Sequence, residues 1–110
     1  MDLNKINHLQ AFALIYDIET HLKHLIEERL SPRYQANMQS YGSLINIAEM
    51  HNLLYTSKEK YVLLQKTINI RNKICHMRPL KTNEFAVLRQ VHHNVKKPSY
   101  EQDYRVVEGC

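Results

Sequence analysis

Apolar residues recur, mostly three or four positions apart, through the first thirty residues of this chain: Leu3, Ile6, Leu9, Phe12, Ala13, Tyr16, Leu22, Leu25, Ile26 and Leu30. That spacing is close to the 3.6-residue helical turn and predicts one helix over residues 3–30. Glu19, Lys23, Glu27 and Glu28 occupy its other side. Ser31-Pro32 is expected to stop it, because the residue before a proline is pushed out of the α region. A helix of that length sets the scale of the fold. With only two glycines and three prolines in 110 residues, a hairpin-rich β protein is excluded.

The remaining segments fit that frame. Residues 31–40 are polar and read as a loop. Ser40, Gly42 and Ser43 precede a shorter helix, Leu44–Leu54, with Leu44, Ile45, Ile47, Ala48 and Met50 apolar. Thr56 and Ser57 are N-cap candidates for a third helix over 58–77, and Glu59 lies in its first turn, where a carboxylate suits the helix dipole. Pro79 is expected to end it. Thr82 is the expected cap of a fourth helix, with Glu84 in its first turn and Phe85, Val87, Leu88 and Val91 on its apolar side; Lys96-Lys97-Pro98 closes it. The expectation is an all-α, antiparallel four-helix bundle with short connections. It forms one domain over 1–98. The polar tail over 99–110 reads as disordered, or as a strand or arm offered to a partner.

Fifteen basic against eleven acidic residues give a net charge of +4, which favours an anionic partner such as nucleic acid. Cys75 and Cys110 form no disulfide framework and read as free thiols in a reducing compartment. The N-terminus lacks a basic start followed by a long apolar stretch. No apolar run approaches the roughly 20 residues of a membrane span. The expected location is therefore cytoplasmic, with no membrane partner.

Arg71-Asn72-Lys73-Ile74-Cys75-His76 interrupts the apolar pattern of the third helix. A cation, an amide and an imidazole beside a core-facing stripe are costly unless paired or useful. Together they supply the parts that handle a phosphodiester: a fixed positive fork, a polar positioner and a side-chain type that titrates near neutrality. Asn72 and His76 are four apart and stack on one helix face. Arg71 and His76 are five apart, about 140° around the axis and roughly 7.5 Å along it. They are too splayed for an optimal contact within one rigid helix. The spacing suits a cleft between packed helices or a two-fold interface.

Arg71-Asn72-x-x-x-His76, late in the third helix of a small bundle, resembles the signature of the HEPN superfamily: Arg, four to six residues, then His, with Asn, Asp or His favoured after the Arg. The stretch IRNKICHMRPL, followed by a capped helix, resembles HEPN domains of abortive-infection and related defence groups. Tyr41-Gly42-Ser43-Leu44-Ile45 is similar to the short-helix start of those proteins. The resemblance covers residues 40–95 and extends to the first helix only by its length and pattern.

The resemblance implies a metal-independent endoribonuclease without cofactor, acting on RNA as a homodimer whose two motif helices form one composite site. It implies attack of a ribose 2′-OH on the adjacent phosphorus, leaving a cyclic phosphate and a 5′-OH. Arg71 would hold the phosphate, His76 would move a proton, and Asn72 would orient His76 or donate to a phosphate oxygen. Lys73, Arg78 and Lys81 would track the RNA backbone. The setting implied is a toxin or antiviral effector, with an antitoxin or regulatory protein as a further partner. Some HEPN domains are instead non-catalytic modules that bind a nucleotide or a protein.

Plainer readings stand beside these. Arg71 could pair with Glu19, and His76 could cap carbonyls at the helix end. Lys73, Arg78 and Lys81 could be a solvated face. His92-His93 diverge by 100° and read as exposed surface rather than ligands. His21 and His24 have ligand spacing but no matched third ligand. Cys75 reads as a small core residue. Tyr41, Tyr55 and Tyr61 are core or rim aromatics before they are stacking platforms for bases.

Overall fold

The computed structural model describes residues 3–96, with side chains from Asn7 onward, as four α-helices and one short 3-10 turn. Helix α1 spans Leu3–Leu30, α2 Tyr41–Met50, α3 Lys58–Cys75 and α4 Thr82–Lys96; the 3-10 turn, Ala36–Met38, lies between α1 and α2. Among the described residues there is no strand. None of these helices is long and apolar enough to cross a membrane. The expectations for Lys97-Pro98, the tail over 99–110 and Cys110 fall outside the described residues.

All four helices feed one core. Ile18, Leu22 and Ile26 of α1 meet Leu44 and Ile45 of α2, Leu64 of α3, and Leu88, Val91 and Val95 of α4, all essentially without exposed surface. Burying each such side chain contributes about 1.5–3 kcal/mol before the entropy of ordering it is subtracted. The apolar positions of α1 divide into two stripes. Ala11, Ile15, Ile18, Leu22, Leu25 and Ile26 are buried, whereas Leu9, Phe12 and Tyr16 are exposed. At 100° per residue the two stripes lie about 120° apart. The apolar face of α1 is wider than its neighbours cover.

Side-chain pairings set the helix directions. Tyr41, opening α2, bonds Thr67 on α3, and Asn52, just after α2, bonds Tyr61 near the start of α3, so α2 and α3 run in opposite directions. Asn7 shares a surface depression with Phe85, while Asp17 accepts from His92, so α1 and α4 run the same way. Two helices with one direction cannot be joined in a plain up-and-down order. The ten-residue loop over 31–40 makes the return, and Tyr34 within it packs edge-on against His51 at the end of α2.

The helix ends refine the sequence expectations. Helix α2 begins at Tyr41, three residues before the expected Leu44, because the Ser40 hydroxyl accepts the Ser43 N–H at 3.1 Å. It stops at Met50 because Asn52 takes a left-handed φ of 47°, and Leu53 N–H then bonds the Ala48 carbonyl at 2.9 Å. Helix α3 is capped by Ser57 and ends at Cys75, two residues short of the expectation. Its stop is Met77, with φ 58°: Met77 N–H bonds Ile74 O at 3.1 Å and Arg78 N–H bonds Lys73 O at 2.8 Å. Both ends are Schellman turns built on a non-glycine residue. Thr82 is not the cap of α4 but its first helical residue; Glu84 reaches back to the Lys81 N–H at 2.9 Å.

Candidate functional site

The Arg71–His76 motif occupies the last turn and C-cap of α3. Tyr61, Leu64, Thr67, Ile70 and Ile74 turn that helix inward. Gln65, Lys66, Asn69, Asn72 and His76 are exposed on its outer side, so Asn72 and His76 share one solvent-facing stripe. His76 is the C-cap residue, and its own N–H bonds Asn72 O at 3.1 Å. Its backbone role is thus to close the helix, while its imidazole stands in solvent.

Arg71 is half-buried and turns the other way, toward α1 and α2. Its guanidinium lies 5.9 Å from the centre of the Tyr41 ring, in reach of a cation–π attraction. Tyr41 is buried, and its hydroxyl bonds Thr67 at 2.8 Å. Burial pushes the Tyr41 phenol up to about 12, with the Glu19 charge adding to it; the Thr67 hydrogen bond and the Arg71 charge oppose that rise. Tyr41 is therefore a neutral floor beneath Arg71. Within one chain the structure brings together Asn72 and His76, and it separates both from Arg71.

Arg71 opens into a groove of about 250 Å³ between α1 and α3. Phe12, Ile15, Tyr16, Glu19, Thr20 and Lys23 form its α1 wall, and Arg71, Ile74 and Cys75 its α3 wall. Two expectations change here. Glu19 pairs with Lys23 at 3.3 Å, and Arg71 has no ion pair among the described residues. Cys75 is exposed rather than a small core residue, because it sits one position past the inward face at Ile74.

The three candidate backbone contacts do not behave alike. Lys73 Nζ lies 2.7 Å from Glu84 Oε2, tying α3 to α4. Burial alone would raise the Glu84 carboxyl, but the Lys73 hydrogen bond, the Lys81 N–H and both ammonium charges outweigh it and hold it below the usual glutamate value. Arg78 and Lys81 are exposed in the turn that follows α3.

His8 was not legible from the sequence. Its Nε2 lies 2.9 Å from the Ile74 carbonyl and donates to it, pinning α1 to the end of the motif helix. No local signal marks a partner 66 residues away. Of the other histidines, His21, His24 and His92 are also engaged or enclosed. His24 meets Glu28 at 3.0 Å and His92 meets Asp17 at 3.1 Å, so His92, unlike exposed His93, is part of the α1–α4 contact. His21 keeps a buried Nε2 with no hydrogen-bond partner among the described residues; burial first, then the charges of Lys96, His24 and Arg29, lower its pKa. Among the described residues no three His, Cys, Asp or Glu side chains converge as a metal site would need. Of the remaining tyrosines, Tyr61 is buried and Tyr55 is exposed beneath Arg29.

Chemically, the end of α3 offers on one side a cation with no ion pair among the described residues, and on the other an exposed amide and imidazole. Comparison of the chain with family models, with curated proteins and with solved structures finds no match.

Proposed function

We propose that this chain is a metal-independent endoribonuclease of HEPN type, working as a homodimer. The observation that carries the reading is the state of the motif. Among the described residues Arg71 is half-buried without a carboxylate partner, and Asn72 and His76 present an exposed polar stripe at the end of the same helix. A half-buried guanidinium without a counter-ion favours an anion, and the divergence of Arg71 from His76 favours a site completed by a second copy.

In this reading the motif helices of two copies meet through the outer stripe of α3. Arg71 of one copy holds the scissile phosphate and offsets charge building on its oxygens. The ribose 2′-OH attacks phosphorus, the bond to the 5′ oxygen breaks, and the products are a cyclic phosphate and a 5′-OH. His76 moves the proton lost by the 2′ oxygen or gained by the 5′ oxygen. Asn72, on the same face, orients the imidazole or donates to a phosphate oxygen. Arg78 and Lys81 meet the RNA backbone, and Lys73 joins them only by leaving Glu84. The setting is a toxin or antiviral effector in the cytoplasm, held in check by an antitoxin or regulatory protein.

The test is incubation of the purified protein with structured and unstructured RNA in excess EDTA, beside Arg71→Ala and His76→Ala. The expected result is cleavage that survives EDTA and leaves cyclic phosphate ends. A general acid–base group is worth about 10²–10⁴-fold, so His76→Ala should be nearly inactive; Arg71→Ala should be too, because it loses the charge that stabilises the phosphate. A second reading, a non-catalytic HEPN-like module that binds a partner protein or nucleotide, is favoured by one observation: His76 is a helix C-cap facing away from Arg71. Intact RNA throughout, with all three proteins equally folded, selects that reading.

A further inference from the structure

The groove beside Arg71 has a composition that the phosphate chemistry alone does not require. Phe12 and Tyr16, one helical turn apart, expose 56% and 61% of their surface on its α1 wall, the reverse of what core packing asks of large aromatic residues. Facing them is Arg71, which has no ion pair among the described residues; Glu19 is engaged by Lys23. Two cations against one carboxylate leave the groove net positive. Its 250 Å³ is just below the roughly 300–1,000 Å³ of pockets for drug-sized molecules, the scale of one nucleotide unit and too small for a helix.

Resting on the nuclease reading, we propose that this groove seats a nucleobase next to the scissile phosphate of single-stranded RNA. The base stacks on Phe12 and Tyr16 while Arg71 holds the adjoining phosphate. Aromatic rings offer a face that every base can meet, and a nearby guanidinium anchors the backbone; this combination is how single strands are held without a duplex. Phe12 and Tyr16 thus favour an unpaired nucleotide as the substrate, since a base inside a helix cannot stack on a side chain. A second copy of the chain is the competing occupant. A two-fold contact through this groove would set one net-positive patch against another, which charge disfavours.

The probe is a 2′-O-methylated, 2-aminopurine-labelled oligonucleotide, which lacks the attacking hydroxyl and loses emission when its base stacks. Wild-type full-length protein is expected to quench it. Phe12→Leu and Tyr16→Leu, which keep apolar bulk and remove the ring, should each weaken binding about five-fold or more, and together remove the quenching. Tyr16→Phe should bind as wild type does. Both positions are exposed, so the variants are expected to fold, which circular dichroism checks. If the double Leu variant binds and quenches like wild type while RNA cleavage persists, the base seat is wrong and the nuclease reading survives. If the Leu variants change the sedimentation mass instead, the stripe is an interface between copies and the proposal is overturned. If wild type neither binds the probe nor cuts RNA, both readings fall together.

Discussion

Thr67 is the fully buried polar residue on the inner face of α3, and it carries Arg71 indirectly. Its hydroxyl donates to the Leu64 carbonyl at 2.5 Å. With that proton used, the Tyr41 hydroxyl must be the donor in the 2.8 Å bond between them. The chain of bonds makes the two truncations unequal. Tyr41→Phe removes a donor but leaves Thr67 bonded to Leu64, so it should cost about 0.5–1.5 kcal/mol. Thr67→Val keeps the shape but strands the hydroxyl of buried Tyr41 with no acceptor, and should cost about 1–3 kcal/mol. The double variant leaves no stranded group and should match Tyr41→Phe alone rather than the sum. Urea unfolding followed by circular dichroism measures all four proteins. In heating, each kcal/mol corresponds to about 4–8 °C for a domain near this size. A Thr67→Val variant no weaker than Tyr41→Phe, or a strictly additive double variant, would refute the assigned bond directions.

Other predictions follow from single contacts. Met77→Gly should raise stability by about 1 kcal/mol, because φ 58° burdens a side chain that is 77% exposed and packs little; thermal unfolding reads it, and an unchanged or lower midpoint contradicts the assigned turn. Glu84 titrates low in the folded state, so its contribution is present above the ordinary value of 4.5 and is lost as pH falls through its lowered folded value. Glu84→Gln should flatten that part of the stability profile, with Lys73→Met doing the same through the other partner. His21 is also lowered, so more protons bind the unfolded chain: stability is highest above the ordinary value of 6.5 and declines as pH drops below it. His21→Leu should remove the decline that sets in as pH drops below 6.5, a window that opens above that of Glu84.

The parts of this fold legible in sequence were those written in local periodicity. The bounds of α1 follow from its apolar recurrence and Ser31-Pro32. The splay of Arg71 from His76 follows from 100° per residue, and the structure keeps it. What was not legible depended on neighbours or on backbone conformation. Met77 ends α3 in a left-handed geometry that sequence signals assign to glycine or asparagine. The onset of α2 was set by the Ser40 cap rather than by the first apolar residue. The exposure of Phe12, Tyr16 and Cys75 depends on how much of α1 and α3 the other helices cover, and no periodic pattern carries that. His8 with Ile74 and Lys73 with Glu84 are tertiary pairings, invisible until α1 and α4 lie against α3.

The most direct test of the central claim is complementation between two inactive variants. Arg71→Ala and His76→Ala chains are mixed, unfolded and refolded together, and assayed on RNA in EDTA beside each variant alone. Half of randomly formed dimers are mixed, and each keeps one of two Arg71–His76 pairings across the interface, so activity should return to about a quarter of wild type. A mixture as inactive as either variant alone, beside an active wild type, would contradict a site shared between two copies.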